Sequence, residues 1–179
     1  PSGSGFSLEA VYGAIHKKLD KEIDISIFQF DKKNFFKNVL ELRKMEADLY
    51  HITGDIHYLA LFLPRSKSVL TIHDVGRYLY DLRGLKKWIY KVVWIILPIY
   101  FSTAIFFSSE VTKKRVQKIT SFEKKLNFVA KLCSNLDFKN PEPTRKAERP
   151  YILHVGTAAN KNLRTVIQSI EKIDCNLLI

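Results

Sequence analysis

The sequence predicts an α/β fold in which a parallel sheet carries helices on both faces. Two observations support this prediction. Short apolar runs bounded by turn residues alternate with stretches of helical periodicity, and the same alternation restarts after a proline-rich segment. Such alternation is typical of parallel sheets, because the helices that connect parallel strands cover the faces of the sheet.

Helical periodicity is clearest in three places. Ser7 is a good N-cap for a helix over residues 7–19, which gathers cations at its far end. A second helix is predicted over residues 35–45 and a third from Ser109, and strands are predicted at 23–30, 49–52, 68–72 and 104–107.

Residues 138–150 contain three prolines and six charged residues, which is typical of a linker. Beyond them come a predicted strand (151–155), a helix (162–173) and a last apolar segment (176–179). We therefore predict a first domain over 1–137 that lacks its first strand, the linker, and the truncated start of a second domain over 151–179.

The chain has 29 Lys and Arg against 18 Asp and Glu, a formal net charge of +11. This charge predicts an anionic partner and leaves phosphate groups, nucleic acid and an acidic membrane surface open. The hydrophobic content of 46% excludes the collagenous and disordered classes. Cys133 and Cys175 have no metal or redox spacing, so we expect two reduced thiols.

Residues 92–109 form an uncharged run of 18 residues, and a run of this length is long enough for a membrane span to be considered. Pro98 and the pair Ser102 and Thr103 interrupt the run, which favours a helix, a turn and a buried strand instead. Just upstream, basic residues alternate with aromatic ones over residues 83–94. This segment is either a surface for anionic lipid or a solvated basic face packed by core aromatics.

Polar or glycine-rich residues follow several predicted strands. In an open parallel sheet, ligands bind beyond the carboxyl ends of the strands. Each group also has a structural explanation, as a helix cap, a flexible turn or a buried imidazole. The candidates of the first domain are Gly3, Ser4, Gly5, His51, Thr53, Gly54, Asp55, His73, Asp74, Ser109 and Glu110, and those of the second are Gly156, Asn160, Lys161 and Arg164.

Lys161 and Arg164 lie at the start of a predicted helix, where the helix dipole disfavours cations. An anion bound at that helix end would remove the penalty, and an exposed basic turn is the alternative. His51, Asp55, His57, His73 and Asp74 include common metal ligands, but no pair has the spacing of a helical metal motif, so no metal is expected.

Four stretches of the chain, taken together, are similar to family 4 glycosyltransferases. They are Ala-Asp-Leu-Tyr-His-Ile-Thr-Gly-Asp at 47–55, Ser-Val-Leu-Thr-Ile-His-Asp at 68–74, Ser-Glu-Val-Thr-Lys at 109–113, and Ile-Leu-His-Val-Gly-Thr-Ala-Ala-Asn-Lys-Asn-Leu at 152–163. The resemblance implies a GT-B fold, in which two Rossmann-like domains face each other and hold the acceptor and the nucleotide-sugar respectively.

The resemblance also implies roles for individual residues. Residues 3–5 match the glycine-rich loop near the donor phosphates, and His73 matches the histidine beside the transferred sugar. Lys161 matches the basic residue that contacts the donor diphosphate, which would stabilise the departing nucleotide without a metal. Thr157 departs from the pattern, because the family often has Arg directly after the glycine of this loop.

The expected function is therefore transfer of a sugar from a nucleotide-sugar to a glycan or lipid-linked acceptor, with retention of configuration and without a cofactor. We expect a cytoplasmic enzyme, peripheral at the inner face of the membrane, of which these 179 residues alone are inactive. The alternative is a non-enzymatic basic module that binds anionic membrane or nucleic acid. Nucleic acid is not expected, because the basic residues are dispersed and no recognition motif is present.

Overall fold

The protein divides into two compact units, Pro1–Asn135 and Leu136–Ile179. The computed structural model describes residues 6–19, 22–131, 149–157 and 161–179. In the first unit four parallel strands form one sheet in chain order: β1 (Tyr50–Ile52), β2 (Ser68–Ile72), β3 (Ala104–Phe107) and β4 (Leu126–Val129). The prediction of an α/β architecture built on a parallel sheet is thus confirmed.

Five α-helices accompany this sheet in the described residues. They are α1 (Phe6–Leu19), α2 (Phe35–Lys44), α3 (Gly84–Tyr90), α4 (Leu97–Tyr100) and α5 (Glu110–Gln117). A π-helical segment, Lys91–Ile96, joins α3 to α4, and a 3-10 helix, His57–Phe62, connects β1 to β2. The helices predicted over 7–19, over 35–45 and from Ser109 are confirmed within one residue at each predicted end.

The two faces of the sheet differ in what covers them. Ile52, Leu70 and Phe107 lie on one face and belong to a buried cluster with side chains of α2, the 3-10 helix, α4 and α5. His51 and Thr71 lie on the opposite face, which α1 approaches. Because the strands follow one another in chain order, right-handed crossovers all fall on a single face. In the described residues, α1 contacts this second face through Tyr12.

The strand predicted over residues 23–30 is wrong, because this segment forms no strand and pairs with no described strand. Its alternating isoleucines do not mark the buried side of a strand. Phe28 and Phe30 pack against the core cluster, while Ile23 and Ile27 are exposed. Conversely, β4 was not predicted, since its four residues form a short edge strand between charged stretches.

The uncharged run 92–109 forms helix, turn and strand, as predicted. It contains most of the π-helical segment, then α4, a turn and β3. In the part of the chain that the structure describes, no helix is long and apolar enough to cross a membrane.

The described residues of the second unit form one strand-helix-strand motif, as predicted. Parallel strands β5 (Tyr151–Leu153) and β6 (Asn176–Leu178) flank helix α6 (Leu163–Ile170). The predicted strand 151–155 and helix 162–173 are both shorter in the structure. Most of the predicted linker, 138–150, lies outside the described residues.

The buried His57 should make the stability of the first unit depend on pH. Its Nδ1 lies 3.0 Å from the carbonyl oxygen of Trp94, to which it must donate. Burial lowers the pKa of His57 below its ordinary value of 6.5, and the bond to Trp94 offsets this only in part. The unfolded chain therefore takes up a proton at a higher pH than the folded chain does.

Consequently, the free energy of unfolding should be highest above pH 6.5 and should fall as the pH falls below it. Urea unfolding at about pH 7.5 and about pH 5.5 measures this difference. Tryptophan fluorescence reports on the first unit, because Trp88 and Trp94 are the only tryptophans of the chain. A His57→Gln variant should show a smaller difference, and an equal one would contradict the assignment.

Candidate functional site

The carboxyl ends of β1, β2 and β3 bring together the polar residues predicted for the first domain. The three strands are parallel and in register, so the segments that follow them lie along one edge of the sheet. Residues 53–55 follow β1, residues 73–74 follow β2, and residues 108–110 follow β3. The residues before Phe6, which include Gly3, Ser4 and Gly5, lie outside the described part of the chain.

His73 is fixed through one ring nitrogen and leaves the other unpartnered. Its Nε2 lies 2.6 Å from the carbonyl oxygen of Thr53. Because a carbonyl can only accept, Nε2 carries the hydrogen, and in a neutral ring Nδ1 then presents a lone pair. Nδ1 is buried and has no hydrogen-bond partner among the described residues. Such an atom has the capacity to bind a hydroxyl group of a ligand.

The backbone of His73 is held from the neighbouring strand end. Its carbonyl oxygen accepts a hydrogen bond from Ser108 Oγ and another, of 3.0 Å, from Thr112 Oγ1. Ser109 caps α5, because its Oγ accepts from the backbone N–H of Thr112 at 3.1 Å. Glu110 lies in the first turn, where the helix dipole favours a carboxylate. The structure thus confirms the predicted cap, which positions Thr112 against His73.

On the sheet face that α1 approaches, His51 lies in a cluster with Tyr12 and Thr71. His51 Nε2 is 2.7 Å from Thr71 Oγ1, and the Tyr12 ring makes edge contacts with both His51 and His73. Desolvation, and secondly the nearby His73, lower the pKa of His51. Burial raises the pKa of Tyr12, which keeps its hydroxyl protonated. The ring of Tyr12 therefore lies against both imidazoles, while each imidazole has its own hydrogen-bond partner.

Asp55 forms a second cluster at the same edge with Arg77 and Tyr90. Its carboxylate lies 3.7 Å from the Arg77 guanidinium and 3.5 Å from the Tyr90 hydroxyl. Arg77 also lies over the ring of Tyr90, 5.6 Å from its centroid. Burial, followed by the charge of Asp55, raises the pKa of Tyr90. This arrangement holds an exposed carboxylate and a cation close to the strand ends.

Two predicted residues have local roles only. Asp74 Oδ1 accepts a hydrogen bond of 2.8 Å from the N–H of Gly76 and so closes its own turn. At Gly54 the backbone φ is not positive, and an added Cβ would make an ordinary contact of 3.8 Å with Ile56. Neither residue indicates a ligand by itself.

Sequence reasoning missed four members of the two clusters: Tyr12, Thr71, Arg77 and Tyr90. Thr71 left a usable signal, because its hydroxyl lies between the apolar residues Leu70 and Ile72 and it shares its side of the sheet with His51. Tyr90 belongs to the basic and aromatic segment 83–94, whose pattern does not indicate a contact with Asp55. Tyr12 and Arg77 reach the strand ends through tertiary packing, which their local sequence does not reveal.

In the second unit, Lys161 folds its side chain over Gly156. This glycine has a φ of +90°, and a Cβ added to it would lie 3.4 Å from the Lys161 side chain. Asn162 precedes α6 with a left-handed backbone and without a side-chain cap, and the first turn of α6 has no acidic residue. Arg164 lies exposed in that first turn, and Asn160 lies outside the described residues. The helix start thus combines uncapped N–H groups with two cations.

The described residues contain no group of three or more His, Cys, Asp or Glu side chains placed to hold a metal ion. His57, one of the metal candidates, is buried in the core against Trp94 instead. A cavity of about 960 Å³ lies at the opposite edge, near the amino ends of β2, β3 and β4. It is lined by Arg65, Tyr100 and Lys125 among others, and by none of the predicted site residues.

No protein-family model, curated protein or solved structure matches this chain. The assignment of a function therefore depends on the residues and their geometry.

Proposed function

We propose that this chain is the acceptor-side domain of a retaining glycosyltransferase with a GT-B fold, followed by the start of its donor-binding domain. The observation that carries the proposal is His73, which presents a buried, unpartnered Nδ1 at the carboxyl edge of a parallel sheet. Ligands of open α/β sheets bind at this edge. The four stretches similar to family 4 glycosyltransferases supply the reaction class.

In this proposal His73 positions the transferred sugar. With the hydrogen on Nε2, Nδ1 accepts a hydrogen bond from a sugar hydroxyl, and Thr53, Ser108 and Thr112 hold the residue in place. Orienting groups of this kind lower the barrier because they remove the entropic cost of alignment. His73 is a positioning and charge-stabilising group in this scheme and not a general base.

The reaction breaks the bond between the anomeric carbon and the donor phosphate oxygen, which departs with the electron pair. The acceptor hydroxyl oxygen bonds to the anomeric carbon, and its proton passes to the departing phosphate. Lys161, Arg164 and the N–H groups at the start of α6 would bind the diphosphate and stabilise its growing charge without a metal. His51 and Asp55 would contact the acceptor substrate. The enzyme would be cytoplasmic and peripheral to the membrane.

Replacement of Lys161 by alanine should weaken donor binding by about 1.5 to 3 kcal/mol, the range for a hydrogen bond to a charged group. Isothermal titration of the full-length protein with its nucleotide-sugar measures the change. Lys172→Ala is a matched control, because Lys172 is also exposed in the second unit but follows α6. Equal donor affinities of the two variants would contradict the role of Lys161.

The proposal is tested by an assay of glycosyl transfer and donor hydrolysis. The full-length protein is incubated with a panel of nucleotide-sugars, and the His73→Ala variant is assayed alongside. Turnover of one donor that collapses in the variant would support the proposal. No transfer or hydrolysis with any donor, in a folded protein, would favour the alternative of a non-enzymatic basic module.

A further inference from the structure

Helix α3 exposes a row of large apolar side chains. Leu85 is 71% exposed, Trp88 62% and Ile89 44%. The spacing of i, i+3 and i+4 places them on one side of the helix. We call these three residues the α3 face. Soluble surfaces seldom group large apolar residues in this way unless the group binds something.

Cations surround the α3 face. Arg83, Lys86, Lys87 and Lys91 lie on or beside α3, and no acidic residue occurs between Asp81 and Glu110. None of these four cations forms an ion pair with an acidic side chain of the described residues. Lys87 instead lies over the ring of Tyr78, 4.8 Å from its centroid. The positive charge around the face is therefore available to an anionic partner.

A small cavity connects the α3 face with the Asp55 cluster. It has a volume of about 250 Å³, and Lys86 and Ile89 line it together with Arg77 and Tyr90. Arg77 and Tyr90 are the residues that contact Asp55. An anionic group bound between Lys86 and Arg77 would lie beside the candidate site.

We infer that the α3 face docks on an anionic lipid bilayer. Trp88, Leu85 and Ile89 enter the headgroup layer, and the flanking cations contact lipid phosphates. A second copy of the chain fits the face less well, because it would bring a second set of unpaired cations to the same contact. Of the three aromatic residues of segment 83–94, Trp88 is mostly exposed and free to enter a bilayer, whereas Tyr90 and Trp94 pack against the core cluster.

The docking does not depend on the proposed function. If that function also holds, docking brings a lipid-linked acceptor to the edge of the sheet. The anionic headgroup of this acceptor then reaches the small cavity. Vesicle binding and glycosyl transfer are separate measurements, so failure of one is distinguishable from failure of the other.

The test is co-sedimentation of the full-length protein with vesicles of phosphatidylcholine, with and without phosphatidylglycerol. We expect binding to the anionic vesicles only. The triple variant Lys86→Glu, Lys87→Glu and Lys91→Glu should bind at least about 10²-fold more weakly, because each basic residue near such a surface contributes substantially. A control with the same net charge, Lys33→Glu, Lys44→Glu and Lys118→Glu, changes exposed lysines elsewhere in the first unit and should bind less than about fivefold more weakly.

A second readout distinguishes insertion from adsorption by charge alone. Brominated lipids should quench Trp88 fluorescence on binding, and this quenching should be absent in a Trp88→Ser variant, which retains Trp94. Equal loss of binding in the two triple variants would overturn the inference, as would binding without quenching. Dimerisation that depends on Trp88, without vesicle binding, would assign the α3 face to a second copy and also overturn it.

Discussion

Alanine in place of His73 should lower the turnover of the full-length protein about 10²-fold, the effect expected when a positioned group near the reacting atoms is lost. Donor binding should change less than about threefold, because the diphosphate contacts are assigned to Lys161 and Arg164. The reason is geometric. The variant loses the acceptor at Nδ1 and the anchor from Nε2 to Thr53 together. Steady-state kinetics and donor titration separate the two effects.

Two further variants at this position distinguish catalysis from folding. His73→Asn keeps an acceptor near the position of Nδ1, whereas His73→Gln keeps a donor near the position of Nε2. We expect the Asn variant to retain more turnover and the Gln variant to be the more stable. His16→Ala is the control, because the His16 ring bonds the carbonyl of Ile25 rather than the sheet edge. Near-normal turnover of all His73 variants would contradict the assignment.

The second large expected effect is a loss of folding stability when Phe107 is replaced by alanine. Phe107 is completely buried on β3, and its ring lies 5.0 Å from that of Phe122. Phe107→Ala should lower the free energy of unfolding of the first unit by about 3 to 5 kcal/mol, because it loses buried apolar area and leaves a cavity. Urea unfolding followed by tryptophan fluorescence measures the change.

Phe36→Ala removes the same side chain from an exposed position, since Phe36 is 82% exposed. It should change the free energy of unfolding by less than about 0.5 kcal/mol. If Phe107→Ala does not fold, Phe107→Leu should fold with a smaller loss. Similar losses at Phe107 and Phe36 would mean that the sheet is not the core of this unit.

The sequence alone predicts the elements that local patterns determine. β2 and β3 have apolar runs between turn residues, and α5 begins at a serine that caps it. The pattern at 23–30 was misleading, because its alternating residues Ile23 and Ile27 are exposed and no described strand pairs with this segment. The edge strand β4 has too few residues for its pattern to stand out.

The candidate site was predictable only in part. His51, Asp55 and His73 follow or lie in predicted strands, so their meeting at one edge could be expected from a parallel sheet. The side chains that contact these residues come from elsewhere in the chain: Tyr12 contacts His51 and His73, and Arg77 contacts Asp55. Likewise, the unpartnered Nδ1 of His73 depends on which carbonyl its Nε2 meets, and only the folded structure determines that.

The central claim is that the protein transfers a sugar with retention of configuration. The most direct measurement is proton NMR of the product during the first turnovers of the full-length protein, which gives the configuration of the new anomeric centre. We predict the same anomeric configuration as in the nucleotide-sugar donor. An inverted product, or no glycoside from any donor tested with folded protein, would contradict it.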